Sequence, residues 1–149
     1  MVAYWYPSGS AGTPKWEGRW ILYQNGASTV LPTYAPITVP AGLTMVVDAV
    51  QATYYGTAGR SSGFAIGPVS VPASASSSAG LSFQAFSAWV SIPANGFPGQ
   101  VDSHDVLYQL GHGVAFPAGT RVDASLFTDL GDPFKYNHFS SIRLYAHYE

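Results

Sequence analysis

Residues 37–50, ITVPAGLTMVVDAV, set a Pro-Ala-Gly turn ahead of an evenly alternating run, and the device returns as VAFPAGTRVDASLF at 114–127. Proline presets φ for the second position of a turn, and glycine is favoured at the fourth position of a type I turn. Val39-Pro40-Ala41-Gly42 and Phe116-Pro117-Ala118-Gly119 both fit that frame. Each turn fixes where the next strand enters a sheet, and so which of its side chains face the core. After the first turn, Leu43, Met45, Val47 and Ala49 alternate with Thr44, Val46, Asp48 and Val50. After the second, Thr120, Val122, Ala124 and Leu126 alternate with Arg121, Asp123, Ser125 and Phe127. Period-two alternation of this kind is the mark of a half-buried strand.

Outward from these modules the pattern persists. From Trp16 the chain sets Trp16, Gly18, Trp20 and Leu22 against Glu17, Arg19, Ile21 and Tyr23, and Asn25-Gly26 follows as the strongest short hairpin signal. LSFQAFSAWVSI (81–92) reads as another strand, and the chain closes on Ile142, Leu144, Ala146 and Tyr148 against Arg143, Tyr145 and His147. No stretch carries the 3.6-residue apolar period of a capped helix. The expectation is an all-β chain of about eight strands, a single β-sandwich domain of jelly-roll type spanning 16–149. Ahead of it, residues 1–15 read as a short N-terminal arm: the aromatic cluster Tyr4, Trp5 and Tyr6 precedes the connector YPSGSAGTP (6–14). Such an arm either docks on a neighbouring subunit or folds back on its own core.

Composition narrows the function classes. Only 9% of the 149 residues are charged, against about 25% in ordinary soluble domains. Aromatics reach 15%, and cysteine is absent, which removes disulfide and thiolate chemistry. Six basic residues and a net charge of -2 argue against nucleic-acid binding, which depends on Lys and Arg to neutralise phosphates. No run approaches the roughly 18 apolar residues of a membrane span, and MVAYWYPSGS lacks the basic-then-apolar order of an export signal. A surface so poor in charge has weak protection against self-association. The expectation is that much of this surface is covered by copies of the chain itself or by a partner, the alternative being a Ser/Thr/Gly-rich surface kept soluble by its hydroxyls.

Chemistry-bearing patterns are weak. GRSSG (59–63) matches the G-x-S-x-G string, but Ser61 would need a sharp strand-to-helix turn to act as a nucleophile. Here glycine-rich hairpin surroundings explain it. DSHD (102–105) gathers Asp102, Ser103, His104 and Asp105, yet adjacent residues cannot converge as a triad. His104 and His112 with a carboxylate are a candidate metal set, although no zinc-type spacing accompanies them. TDLGDP (128–133) has two acids without the regular spacing of a calcium loop and reads as a turn. No catalytic residue, cofactor or metal is assigned, and a non-enzyme is expected. Trp5, Trp16, Trp20, Trp89, Tyr54 and Tyr55 remain as rings that fill a core or stack on sugars.

The stretch from about Pro36 to Glu149, through VPAGLTMVVDAV, GVAFPAGTRVDASL and the closing SSIRLYAHYE, resembles small jelly-roll virion proteins of bacteriophages: capsid, decoration (cement) or tail-tip modules. The resemblance implies a non-enzymatic structural protein of the virion, a homo-oligomer with a trimer favoured, contacting other virion proteins. The alternative is a carbohydrate-binding or lectin-like tip that grips host polysaccharide.

Overall fold

The structure, a computed structural model, describes residues 1–7, 18–32, 35–69, 84–92, 101–128 and 139–149. Among these residues ten strands follow in chain order: β1 (Val2–Pro7), β2 (Gly18–Gln24), β3 (Ala27–Val30), β4 (Ile37–Thr38), β5 (Met45–Thr57), β6 (Ser61–Pro68), β7 (Phe86–Ser91), β8 (Val101–Phe116), β9 (Arg121–Thr128) and β10 (Phe139–Tyr148). Among the described residues there is no helix, in keeping with the missing 3.6-residue period. One antiparallel sheet has six strands in the order β3-β2-β1-β10-β5-β8, and the other has four in the order β4-β9-β6-β7. The fold is therefore an all-β sandwich.

The pairing is nested. β1 pairs with β10, β4 with β9, β5 with β8, and β6 with β7, all antiparallel. Successive pairs alternate between the two sheets. The β2–β3 hairpin extends the larger sheet beyond β1. Its turn has Asn25 at φ 51° and Gly26 at φ 77°, the two positive angles that suit the right-handed twist of a tight hairpin.

The repeated turns share one backbone, one residue out of the expected frame. Leu43 N–H donates to Pro40 O at 3.3 Å and Thr120 N–H to Pro117 O at 3.1 Å, so proline is the first residue of each turn. Glycine is then the third, with φ 77° at both Gly42 and Gly119. A positive φ at that position is what a type II turn requires, so the type I assignment is corrected. The two modules also meet, because Val39 accepts from Gly119 N–H and donates to Thr120 O, each at 2.9 Å.

The core lies between the sheets. Trp20, Tyr54 and Phe64 are its largest fully buried side chains, joined by Met45, Val47, Val50, Ile66, Val122, Ile142 and Leu144. Along β10 the expected alternation holds, with Ile142, Leu144 and Ala146 buried and Arg143 and His147 exposed. Along β5 it breaks. Met45 and Val47 face the core, the register slips between Val47 and Ala49, and Val50, Ala52 and Tyr54 then take the inward positions. A bulge adds one residue and reverses the facing of all that follow, which simple alternation does not register.

Of the two alternatives for the N-terminal segment, its described part takes the second and folds back on its own core, as a strand of the sheet. Residues 2–7 are an interior strand, hydrogen-bonded to β10 on one side and β2 on the other. Ala3 and Trp5 are buried, so VAYWY itself carries a strand alternation. The amino terminus donates to Ala146 O at 2.7 Å, and Ala146 N–H returns a bond to Met1 O at 3.0 Å. Residues 8–15 of that segment lie outside the described residues.

Candidate interaction surface

Only one face of the six-stranded sheet meets the smaller sheet, so the other is presented outward. Cross-strand registers place residues on it in rungs that run the full width. One rung reads Val30, Ile21, Tyr4, Arg143, Gln51 and Leu107 across β3-β2-β1-β10-β5-β8. The next reads Ser28, Tyr23, Val2, Tyr145, Ala49 and Gln109. Arg143 is the one charged residue in these two rungs, where an outward sheet face is ordinarily polar. Of the exposed large apolar side chains among the described residues, Tyr23, Val30 and Leu107 stand on these rungs at 48%, 55% and 52% exposure.

Several of these side chains are held in place. Tyr4 and Tyr6 stack with ring centroids 5.8 Å apart and planes at 18°. The Arg143 guanidinium sits 5.2 Å above the Tyr4 ring, a cation–π contact that masks part of its charge. Tyr145 donates its hydroxyl to Gln51 Oε1 at 2.9 Å. The aromatic group Tyr4, Trp5 and Tyr6 is thus divided by the strand: Trp5 enters the core, and Tyr4 and Tyr6 join the outer face.

A cleft of about 480 Å³ opens where the ladder between β5 and β8 is interrupted, lined by Asp48, Gln109, His112, Gly113, His147 and Glu149. His147 Nδ1 lies 2.8 Å from Asp48 Oδ2, both side chains half exposed. Glu149 is fixed by backbone bonds in both directions with Thr44, at 2.8 and 3.0 Å. Gly113 has φ 68°, and a Cβ there would stand 2.5 Å from Val46 Cγ1. Only glycine fits this crossing. The sequence reading missed Asp48, His147 and Gly113 as neighbours; the one signal was an acid breaking the apolar run MVVDAV.

The remaining candidates are scattered. Ser61 opens β6 after the Ala58-Gly59 turn, in an antiparallel pair with Ser91 and with no helix behind it. His104 and His112 stand at separate places on β8: His104 opposite Tyr54, His112 in the cleft beside the bulge. His104 Nδ1 donates to Ser91 O at 2.5 Å, and Tyr108 donates its hydroxyl to Trp89 O at 2.8 Å. These two bonds lace the edge strand of one sheet to that of the other. Phe64, Phe86 and Tyr108 pack below them with centroids 5.6–5.9 Å apart. Burial raises the Tyr108 phenol above its ordinary pKa, which keeps it a donor. Among the described residues, no group of three or more His, Asp or Glu side chains could hold a metal ion.

Of the candidate rings, Trp20 and Tyr54 are core, Tyr55 is half-buried, and Trp89 is 53% exposed on β7. Trp16 and the acids of 129–133 lie outside the described residues. A third lacing bond joins the sheets at their opposite side, where Trp20 Nε1–H donates to Asp123 Oδ1 at 2.9 Å. Ala124 N–H also donates to Asp123 Oδ1, at 2.8 Å. Burial raises the Asp123 pKa, and these two bonds with the nearby Arg121 charge only partly oppose it.

No known protein family matches the chain, and searches of curated proteins and solved structures returned no significant match. Among the described residues, no helix is long and apolar enough to cross a membrane.

Proposed function

We propose that this chain is a jelly-roll structural protein of a virion, a capsid or capsid-decoration component that works through contacts with copies of itself and with neighbouring proteins. The jelly-roll assignment is supported by the nested pairing: a long antiparallel ribbon, closed at β6–β7, whose strand pairs alternate between two sheets. The observation that carries the function is the outward face of the larger sheet. Its two full rungs hold tyrosines, valines and isoleucine around a single arginine that is itself seated over a ring. Apolar area removed from water contributes about 25 cal/mol per Å², and tyrosine is among the residues enriched at interfaces. Sparse charge adds little repulsion between copies.

The test is solution mass by light scattering at two concentrations, for the native chain and for Tyr4→Glu. Tyr4 is on the outer face, so the exchange places a carboxylate in the proposed contact while β1 keeps its inward Ala3 and Trp5. A closed oligomer, a trimer foremost, that dissociates in Tyr4→Glu supports the reading. A monomer at every concentration refutes it. Deleting residues 1–12 is not a usable test, because it would remove the interior strand β1. A second reading, a lectin-like tip for host polysaccharide, is favoured by Trp89, whose half-exposed ring lies on an edge strand. A glycan array in which binding is lost in Trp89→Ala supports that alternative.

A further inference from the structure

Sheet edges present unpaired N–H and C=O groups, and proteins ordinarily blunt them with charge, proline, brevity or cover. Among the described residues, three of the four edges are blunted. β4 has two residues and is bracketed by Pro36 and Pro40. β7 has its Trp89 and Ser91 carbonyls occupied by Tyr108 and His104. β8, which donates those bonds, carries Asp102, Asp105, His104 and His112 along its length. The fourth edge, β3, is Ala27-Ser28-Thr29-Val30: no charge, no proline, and every residue exposed.

The hairpin register says which groups point away from the sheet. Gln24 and Ala27 flank the two-residue turn, Leu22 faces Thr29, and Leu31 N–H donates to Trp20 O at 2.8 Å. Residues 27, 29 and 31 therefore spend their backbone groups on β2, because bonding alternates along an antiparallel strand. The N–H and C=O of Ser28 and Val30 face outward.

We propose that β3 pairs antiparallel with β3 of a second copy about a two-fold axis through Thr29, joining two six-stranded sheets into one. Ser28 of one copy lies opposite Val30 of the other and exchanges both backbone bonds with it, and the reciprocal pair does the same. The two Thr29 residues meet at the axis as a non-hydrogen-bonded pair, their Cα atoms about 4.5 Å apart. Such an interface is isologous, the same patch serving both copies. The outer faces then run on from one copy to the next, with Tyr23 and Val30, two of the exposed apolar side chains, beside the seam. Without charge on β3, nothing on the strand itself opposes the approach. The inference rests on the self-associating structural role above and adds a two-fold contact, separate from any contact that closes a trimer.

The chain contains no cysteine, which makes the register directly testable. Under mild oxidation, Thr29→Cys is expected to form an inter-chain disulfide, since its separation falls within the 4.4–6.8 Å that bridges need. Ser28→Cys and Val30→Cys are each opposed by a different residue and should cross-link far less. Equal cross-linking by all three variants, or none by Thr29→Cys, overturns the pairing. Val30→Pro removes an outward N–H while sparing every bond to β2. It should weaken the dimer about tenfold or more, with circular dichroism unchanged. Native association that persists in Val30→Pro without the Thr29→Cys preference removes this pairing alone. A native chain that stays monomeric at every concentration removes both the pairing and the reading beneath it.

Discussion

Gly113→Ala isolates what the β5–β8 crossing demands. Three glycines share a similar positive φ: Gly113 at 68°, and Gly42 and Gly119 at 77°. An L residue in this region costs roughly 1–2 kcal/mol, partly offset by about 0.4–1 kcal/mol from the stiffer unfolded chain. That net cost is common to all three. Their surroundings differ, because a Cβ at Gly42 or Gly119 meets nothing within 4 Å, whereas one at Gly113 lies 2.5 Å from Val46 Cγ1. Val46 is nearly buried and its branched side chain has little room to swing, so overpacking adds roughly 1–3 kcal/mol. Urea unfolding with unchanged m should place Gly113→Ala below Gly42→Ala and Gly119→Ala by about that increment. Val46→Ala should then cost less in the Gly113→Ala background than in the native chain, the signature of a direct contact. Equal stability of the three alanine variants, or the same cost of Val46→Ala in both backgrounds, refutes the reasoning.

Asp123 and Gly56 make two further tests. Burial raises the Asp123 pKa, so the folded chain holds that proton more tightly than the unfolded one. Stability from this group therefore falls as pH rises from the unfolded value, about 3.9, through the folded one. Asp123→Asn keeps an acceptor for Trp20 and should be at least as stable as the native chain at pH 7, with its advantage shrinking towards pH 4; a pH-independent difference counts against this. Asp123→Ala instead strands the buried indole N–H and should lower stability by about 1–3 kcal/mol at pH 7. A Cβ on Gly56 would lie 2.6 Å from the Tyr54 hydroxyl oxygen. Since that ring is only 1% exposed, Gly56→Ala should cost roughly 1–3 kcal/mol in thermal or urea unfolding.

Much of the fold was legible because period two and turn chemistry are local. The Asn25-Gly26 hairpin, the inward residues of β10, the matching PAG turns and the absence of helix all follow from side chains a few residues apart. The turns erred by a single residue, since Pro-Ala-Gly is compatible with two frames until the sign of φ at glycine is known. The split of Tyr4, Trp5 and Tyr6 between outer face and core was available in the alternation of VAYWY. A glycine-rich connector following it suggested a loose arm instead.

What sequence alone determined was the class of this protein, an all-β chain with little charge and no thiol chemistry. Tertiary structure decided which strands are neighbours, and with them every candidate surface. That β1 lies between β2 and β10 unites Tyr4 with Arg143 and Tyr145. The bulge after Val47 brings Asp48, His147 and Gly113 to one cleft. Only the full strand order leaves β3 as an edge that is both uncharged and fully exposed. Alternation specifies which way a side chain faces, since that depends on the pleat of its own strand. It carries no information on the partner strand, which is chosen by contacts between residues as far apart as Val2 and Tyr145.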